Sequence, residues 1–310
     1  MILNQYRTCT AAVAASLACI LVASSCGAAS EHRESLWAHD NLVAWTVVPF
    51  DSQNRGPEER AQMLDHLGFK HFAYDWRPIN VPTFEAEIEA LQRHHIDLLA
   101  WWFPLDASDP AARATLELFQ RQGVRPQLWV MQSGAPLPPA QADRVKQEAV
   151  RIHTLVQLAA PYGVKIALYN HNDWFGVMDN QVAILEQLAT LGVTDVGIAY
   201  NFSHAHDTLH DDTANFQDVW QKIKPYVVAV NVAGTHLEDG STHFPSQGEH
   251  DLDMMRVIEQ SGWRGPVGVL AETGGDAELA LKNAMTGLDW LAAELRQTGS
   301  GGPRPFPLAP

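Results

Sequence analysis

From Asn41 to Arg296 the chain alternates short apolar runs with longer stretches in which apolar residues recur every three or four positions. Apolar runs of about four to eight residues between turn residues predict strands buried on both faces, and the longer recurrence predicts amphipathic helices. Strands are expected at Leu42–Val48, His71–Tyr74, Asp97–Trp102, Gln127–Met131, Lys165–Tyr169, Asp195–Tyr200, Val227–Val232 and Val267–Ala271. Helices are expected at Pro57–Leu67, Phe84–His94, Pro110–Gln122, Ala140–Ala160, Asn180–Leu191, Ala214–Ile223, Leu252–Gln260 and Ala277–Arg296. Many of these helices end at a glycine, as in Gln122-Gly123-Val124 and Tyr162-Gly163-Val164. Glycine is the usual helix stop because it enters the left-handed conformation without a steric cost.

Strands separated by helices imply parallel βαβ units. Eight such units over residues 41–298 make an α/β fold of the size of one (β/α)8 TIM barrel. The rival is an open, doubly wound sheet, but no glycine-rich phosphate loop follows the first strand. Residues 299–310 are rich in Gly and Pro and are expected to form a disordered tail.

The first residues have a different character. Arg7 is the only charged side chain before Cys26, and Ala11–Ser25 is almost wholly small or apolar. A positive start followed by a short apolar stretch predicts a secretory signal peptide over residues 1–25. The run Leu21-Val22-Ala23-Ser24-Ser25-Cys26-Gly27 resembles the lipobox of bacterial lipoproteins, with Ala23 where Leu is commonest. That resemblance implies lipidation at Cys26, a tether over residues 26–40, and an exported, membrane-anchored lipoprotein in the periplasm or on the cell surface. An ordinary signal peptide cut nearby is the alternative. All three cysteines (Cys9, Cys19, Cys26) lie in this segment, so the barrel has no disulfide and no thiol chemistry.

Composition narrows the partners. A formal net charge of −15 with no Lys/Arg-rich run excludes the positive footprint that nucleic acid requires. At 46% hydrophobic and 18% charged residues, the chain has material for a large core and is not of disordered type.

In such barrels the working site lies at the C-terminal ends of the strands. Those ends carry Asp75-Trp76-Arg77, Trp101-Trp102-Phe103, Trp129 to Gln132, Tyr169-Asn170-His171-Asn172-Asp173-Trp174, Asn201 to Asp207, Asn231, and Glu272-Thr273. Amides and imidazoles bind hydroxyls, and indoles stack on the apolar faces of pyranoses, so the set points to a small carbohydrate ligand. Asp75, Trp102, Trp129, Asn170, Trp174, Asn201 and Asn231 are the candidate sugar contacts, and His171, His204 and Glu272 the candidate acid–base groups. For any one Trp or His, packing is the competing reading. His204 and His206, with Glu272 across the barrel, also form a candidate divalent-metal set of manganese or zinc type. A polar loop with incidental histidines is its alternative.

At the later strands the chain resembles the xylose-isomerase-like barrels, the sugar phosphate isomerase/epimerase superfamily. The likeness is best in Gly163–His171, in Val196–His206, and from Gln247-Gly248-Glu249-His250-Asp251 through Gly265-Pro266-Val267-Gly268 to Leu288-Asp289-Trp290-Leu291. It implies a divalent metal at the strand ends that assists proton transfer beside a carbonyl. The superfamily's strand-five Glu, strand-six Asp and strand-seven His fall at Tyr169, Asn201 and Asn231, and only Glu272 keeps its type. His171 and His204 fall on histidines of the pattern, while the Lys after strand seven is replaced by Ala233-Gly234. Losing two carboxylates removes most of the charge that holds a hard cation. Either the metal is lost, or His171, His204, His206 and Glu272 hold it differently.

The leading expectation is therefore an extracytoplasmic sugar isomerase, epimerase or lyase. A non-catalytic carbohydrate-binding lipoprotein on the same scaffold is the alternative. Glycoside hydrolysis needs two opposed carboxylates, and the strand-four and strand-seven ends carry Gln132 and Asn231 instead.

Overall fold

The computed structural model describes residues 35–132, 140–171, 173–205, 209, 213–235, 241–270, 275–296 and 301–308. The expected signal peptide and Cys26 lie outside the described residues, as do His206 and Glu272. Eight parallel strands close into a barrel. They are β1 (Leu42–Trp45), β2 (His71–Tyr74), β3 (Asp97–Trp102), β4 (Gln127–Val130), β5 (Ile166–Tyr169), β6 (Gly197–Asn201), β7 (Val227–Val232) and β10 (Val267–Leu270). Each pairs with its sequence neighbour, and β1 closes on β10 through Leu42↔Val267 to Trp45↔Leu270. Between β7 and β10 a small antiparallel hairpin of β8 (Gly234–Thr235) and β9 (Thr242–His243) is inserted, which the apolar pattern does not predict.

The helices are α1 (Pro57–His66), α2 (Phe84–Arg93), α3 (Pro110–Gln122), α4 (Gln141–Ala159), α5 (Asp173–Gly176), α6 (Met178–Thr190), α7 (Thr213–Ile223), α8 (Asp251–Gln260) and α9 (Ala277–Leu295). Their limits are set by local chemistry. At the start of α3, Asp109 accepts the Ala111 amide at 2.8 Å and Pro110 occupies the first turn, where no donor is needed. At its end Gly123 takes φ 69°, letting the Val124 amide reach back to the Phe119 carbonyl at 3.1 Å.

Both faces of the sheet are buried. Outward-facing Tyr74 and Trp101 pack edge-on against Phe84, at 5.9 and 4.7 Å between ring centroids, and Trp101 meets Phe119 at 5.1 Å. Inside the barrel Trp45 lies 4.0 Å from Trp129 between ring centroids. Gly268 makes room for it, since a Cβ there would lie inside the contact radius of Trp45 Cε3. Gly268→Ala is therefore expected to cost about 1–3 kcal/mol through overpacking, read as a lower urea midpoint. A variant as stable as the parent would mean that Trp45 can move aside freely.

β1 stops at Trp45, short of Val48, because Thr46 takes φ 54° and Val48–Phe50 forms a 3-10 turn. That turn delivers Asp51, whose buried carboxylate accepts from the Gln53, Arg55 and Ala277 amides and from Arg55 Nη1 at 2.8 Å. Burial pushes its pKa up, but these hydrogen bonds outweigh burial and hold it below the usual aspartate value. The first and last βα units are thus tied at the rim. On the outside, Arg60 of α1 forms a two-pronged pair with Glu87 of α2, at 2.9 and 3.1 Å, with both residues buried. Within the C-terminal segment, Phe306 packs 5.4 Å from Phe244 and the Gly302 carbonyl accepts from Trp290 Nε1 at 3.2 Å.

Candidate functional site

The ends of β5, β6 and β7 meet in a chain of side-chain hydrogen bonds. Asn170 continues the β5–β6 ladder beyond the last backbone pair. Its Oδ1 accepts the Asn201 amide at 2.7 Å, and its Nδ2 donates to the Asn201 carbonyl at 3.0 Å. Alternation along the strand leaves Tyr169 and His171 on the other side of the chain from Asn170. Asn201 Nδ2 donates to the Tyr169 hydroxyl at 2.7 Å, and Asn201 Oδ1 accepts from Asn231 Nδ2 at 2.7 Å. The same Oδ1 accepts the Ser203 amide at 3.0 Å, capping the 3-10 turn Phe202–His204. This cap turns His204 back over the strand ends. The His171 and His204 rings stand 4.7 Å apart, and His204 meets Tyr169 edge-on at 5.6 Å. Gly176 of α5 presses on the His171 carbonyl so closely that a Cβ there would collide with it. The backbone of His171 is fixed from that side.

An aromatic floor lies under this layer. Tyr169 stacks parallel to Trp129 at 6.2 Å, and Trp102 stands edge-on to both, at 5.4 and 4.9 Å. Trp129 Nε1 donates to Gln127 Oε1 at 3.0 Å. Of the expected sugar contacts, Trp129, Asn201 and Asn231 are 0% exposed and Asn170 1%. Asn231 Oδ1 and Ser203 Oγ are buried polar atoms of this layer without a hydrogen-bond partner among the described residues.

The other expected residues lie around the rim. Asp75, at the end of β2, is buried beside Arg77 at 2.6 Å; burial raises its pKa, and the guanidinium opposes the rise. Next to it, Trp76 Nε1 donates to the Trp102 carbonyl at 2.7 Å, which joins the β2 and β3 ends. Trp174 Nε1 donates to Gln141 Oε1 at 2.8 Å, and its carbonyl accepts from Asn180 Nδ2.

A residue that the sequence pattern does not single out is Glu148. It lies on the apolar face of α4 with Ala149, Ile152, Leu155 and Ala159, and its carboxylate is fully buried. The Gln132 amide, oriented to suit both groups, donates to it at 3.0 and 3.2 Å. Burial raises the Glu148 pKa, and Arg151 at 3.6 Å opposes the rise. The available signal was a glutamate on an otherwise apolar helix stripe.

Residues 47–294 match the family described as Xylose isomerase-like TIM barrel. The chain belongs to this family. No curated protein matches the chain in sequence. Among solved structures, this xylose isomerase-like barrel is similar to the IOLI protein, solved with a binding zinc atom. That match has 17% identity and a TM-score of 0.63, and covers 82% of this chain and 98% of the other. It is also similar to the 3-keto-D-glucoside 4-epimerase YcjR from E. coli in its apo form, at 15% identity and TM-score 0.59, covering 81% and 98%. An L-ribulose 3-epimerase matches at 13% identity and TM-score 0.58, covering 86% and 99%. At these identities the likeness establishes the fold alone.

The metal implied by the superfamily does not fit three of its expected positions in this barrel. Tyr169, Asn201 and Asn231 are neutral, and they are hydrogen-bonded to one another. Asn201 Oδ1 already accepts two hydrogen bonds, so no lone pair is left to face a cation. Neutral amides also supply no charge to offset the dehydration of a hard divalent ion.

Proposed function

We propose that this xylose isomerase-like barrel is an extracytoplasmic sugar-active isomerase, epimerase or lyase in which His171 and His204 transfer the proton. The observation that carries the reading is the placement of the two imidazoles 4.7 Å apart above the strand ends. One imidazole in its neutral form takes the proton from the carbon beside a sugar carbonyl, whose C–H bonding pair becomes the enediol double bond. The other, protonated, gives its proton to the carbonyl oxygen. Return of a proton to the opposite face gives the epimer, and return to the neighbouring carbon gives the isomer. Loss of a β-hydroxyl as water instead gives the lyase product. In this scheme Glu272 would serve as a second carboxylate, and Asp75 and Trp102 would be sugar contacts.

The fold family and the epimerases that share the fold support a sugar substrate. Export through the N-terminal segment and anchoring at Cys26 favour an unphosphorylated sugar, an oxidised sugar or an oligosaccharide fragment, because sugar phosphates are mainly cytoplasmic. The alternative is a binding protein without turnover. It is favoured by the neutral Tyr169–Asn201–Asn231 layer, which brings no charge to the reaction.

A panel of free aldoses, ketoses and 3-keto-glycosides incubated with the protein and followed by NMR separates the two. The expected result is a new epimer, isomer or dehydrated product from at least one sugar. Binding of a sugar with no conversion of any would leave the binding-protein reading standing in its place.

A further inference from the structure

We propose that this barrel has replaced the divalent-metal site of its family with a relay of neutral hydrogen bonds, Asn231 to Asn201 to Tyr169, and does its chemistry without a metal ion. The relay is continuous and buried. Asn231 donates to Asn201 Oδ1, and Asn201 donates to the Tyr169 hydroxyl, each at 2.7 Å. Asn170 holds the Asn201 backbone at both its amide and its carbonyl, and the Asn201 side chain is itself held by the Ser203 amide, Asn231 and Tyr169, which occupies both lone pairs of Oδ1. Packing fixes the outer member as well, because the Tyr169 ring is stacked on Trp129 and flanked by Trp102. A cation seated here would have to break bonds between groups that are 0% exposed at Asn201 and Asn231 and 4% at Tyr169. Buried polar groups that lose a partner cost about 1–3 kcal/mol each, and neutral amides return little of it.

An unpaired amide oxygen beside the relay fits the same picture. Asn231 Oδ1 is buried and has no hydrogen-bond partner among the described residues. A single amide oxygen is suited to a hydroxyl or a water proton, whereas a divalent ion needs several oxygen or nitrogen donors with charge among them. The inference deepens the sugar reading and takes its functional meaning from it. Its readout uses no sugar, so failure of one does not imply failure of the other.

The experiment is the metal content of the purified protein after incubation with manganese or zinc chloride and desalting, by elemental analysis. Alongside it the thermal midpoint is measured with each metal alone and with a chelator. The parent protein is expected to hold substoichiometric metal and to show the same midpoint in all conditions, since an ion that bound the native state would raise it. Stoichiometric metal in the parent, lost in His204→Ala, would overturn the proposal in favour of a site built from His204 and its neighbours. The variant carrying Tyr169→Glu, Asn201→Asp and Asn231→His together is expected to take up the ion that the parent refuses. If that variant folds and still takes up none, the relay is not what excludes the metal. If it does not fold, the parent's metal content and midpoints decide alone.

Discussion

Replacing His204 with alanine is expected to slow proton transfer on the sugar about 10²–10⁴-fold, the usual worth of a positioned general acid or base. Asn201 Oδ1 caps the turn that carries His204, whose ring lies beside that of His171. With the cap intact and the ring only half-buried, truncation removes the imidazole without removing a core residue. The loss should therefore appear in kcat, with KM changed far less, because the transfer step loses its group while the rim that holds the sugar stays. His171→Ala should show the same pattern. The double variant should be little slower than either single one, since groups that act as a unit are not additive. Steady-state rates of the three variants check this. A His204→Ala enzyme with an unchanged kcat would place the proton transfer elsewhere.

Glu87→Ala is expected to destabilise the fold by about 3–5 kcal/mol, the range found when one partner of a buried ion pair is removed. Arg60 and Glu87 face each other with side chains 4% and 0% exposed, and both prongs of the guanidinium are used. Alanine leaves Arg60 charged, buried and unpaired between α1 and α2, the two helices that flank β2 and thereby Asp75. Replacing both residues with hydrophobic side chains of similar volume should recover most of the loss, because the desolvation cost disappears with the charges. Urea unfolding of the single and double variants tests the pair. A single variant within about 0.5 kcal/mol of the parent, the scale of ordinary surface changes, would mean that Arg60 reaches water.

The fold was legible because a parallel strand covered on both faces reads as an unbroken apolar run. His71–Tyr74, Asp97–Trp102 and Val227–Val232 have the limits the pattern predicts, and the other strands differ by a few residues at their ends. The hairpin Gly234–Thr235 with Thr242–His243 was not legible, since strands this short carry no periodicity. Facing direction was equally hidden. Trp101 and Trp102 are adjacent and both apolar, yet one packs on Phe84 and Phe119 outside the barrel while the other enters it. Trp129, too, gives no sign in the sequence that its ring is buried between Trp45 and Tyr169.

At the site, the strand ends brought His171, His204, Asn170, Asn201 and Asn231 together from their positions alone. What position could not reveal is that the amides bond to one another. That depends on register across three strands, not on spacing within one. Glu148 escaped notice because it reaches the buried space beside Gln132 from a helix, and strand-end reading does not look there.

The most direct test of the account is solvent deuterium incorporation at the carbon beside the carbonyl of a bound sugar, followed by NMR in heavy water with the chelator-treated parent protein. The account predicts incorporation by the parent, and its near-complete loss when His171 and His204 are both replaced with alanine. A sugar that binds tightly and exchanges no carbon-bound proton would contradict it.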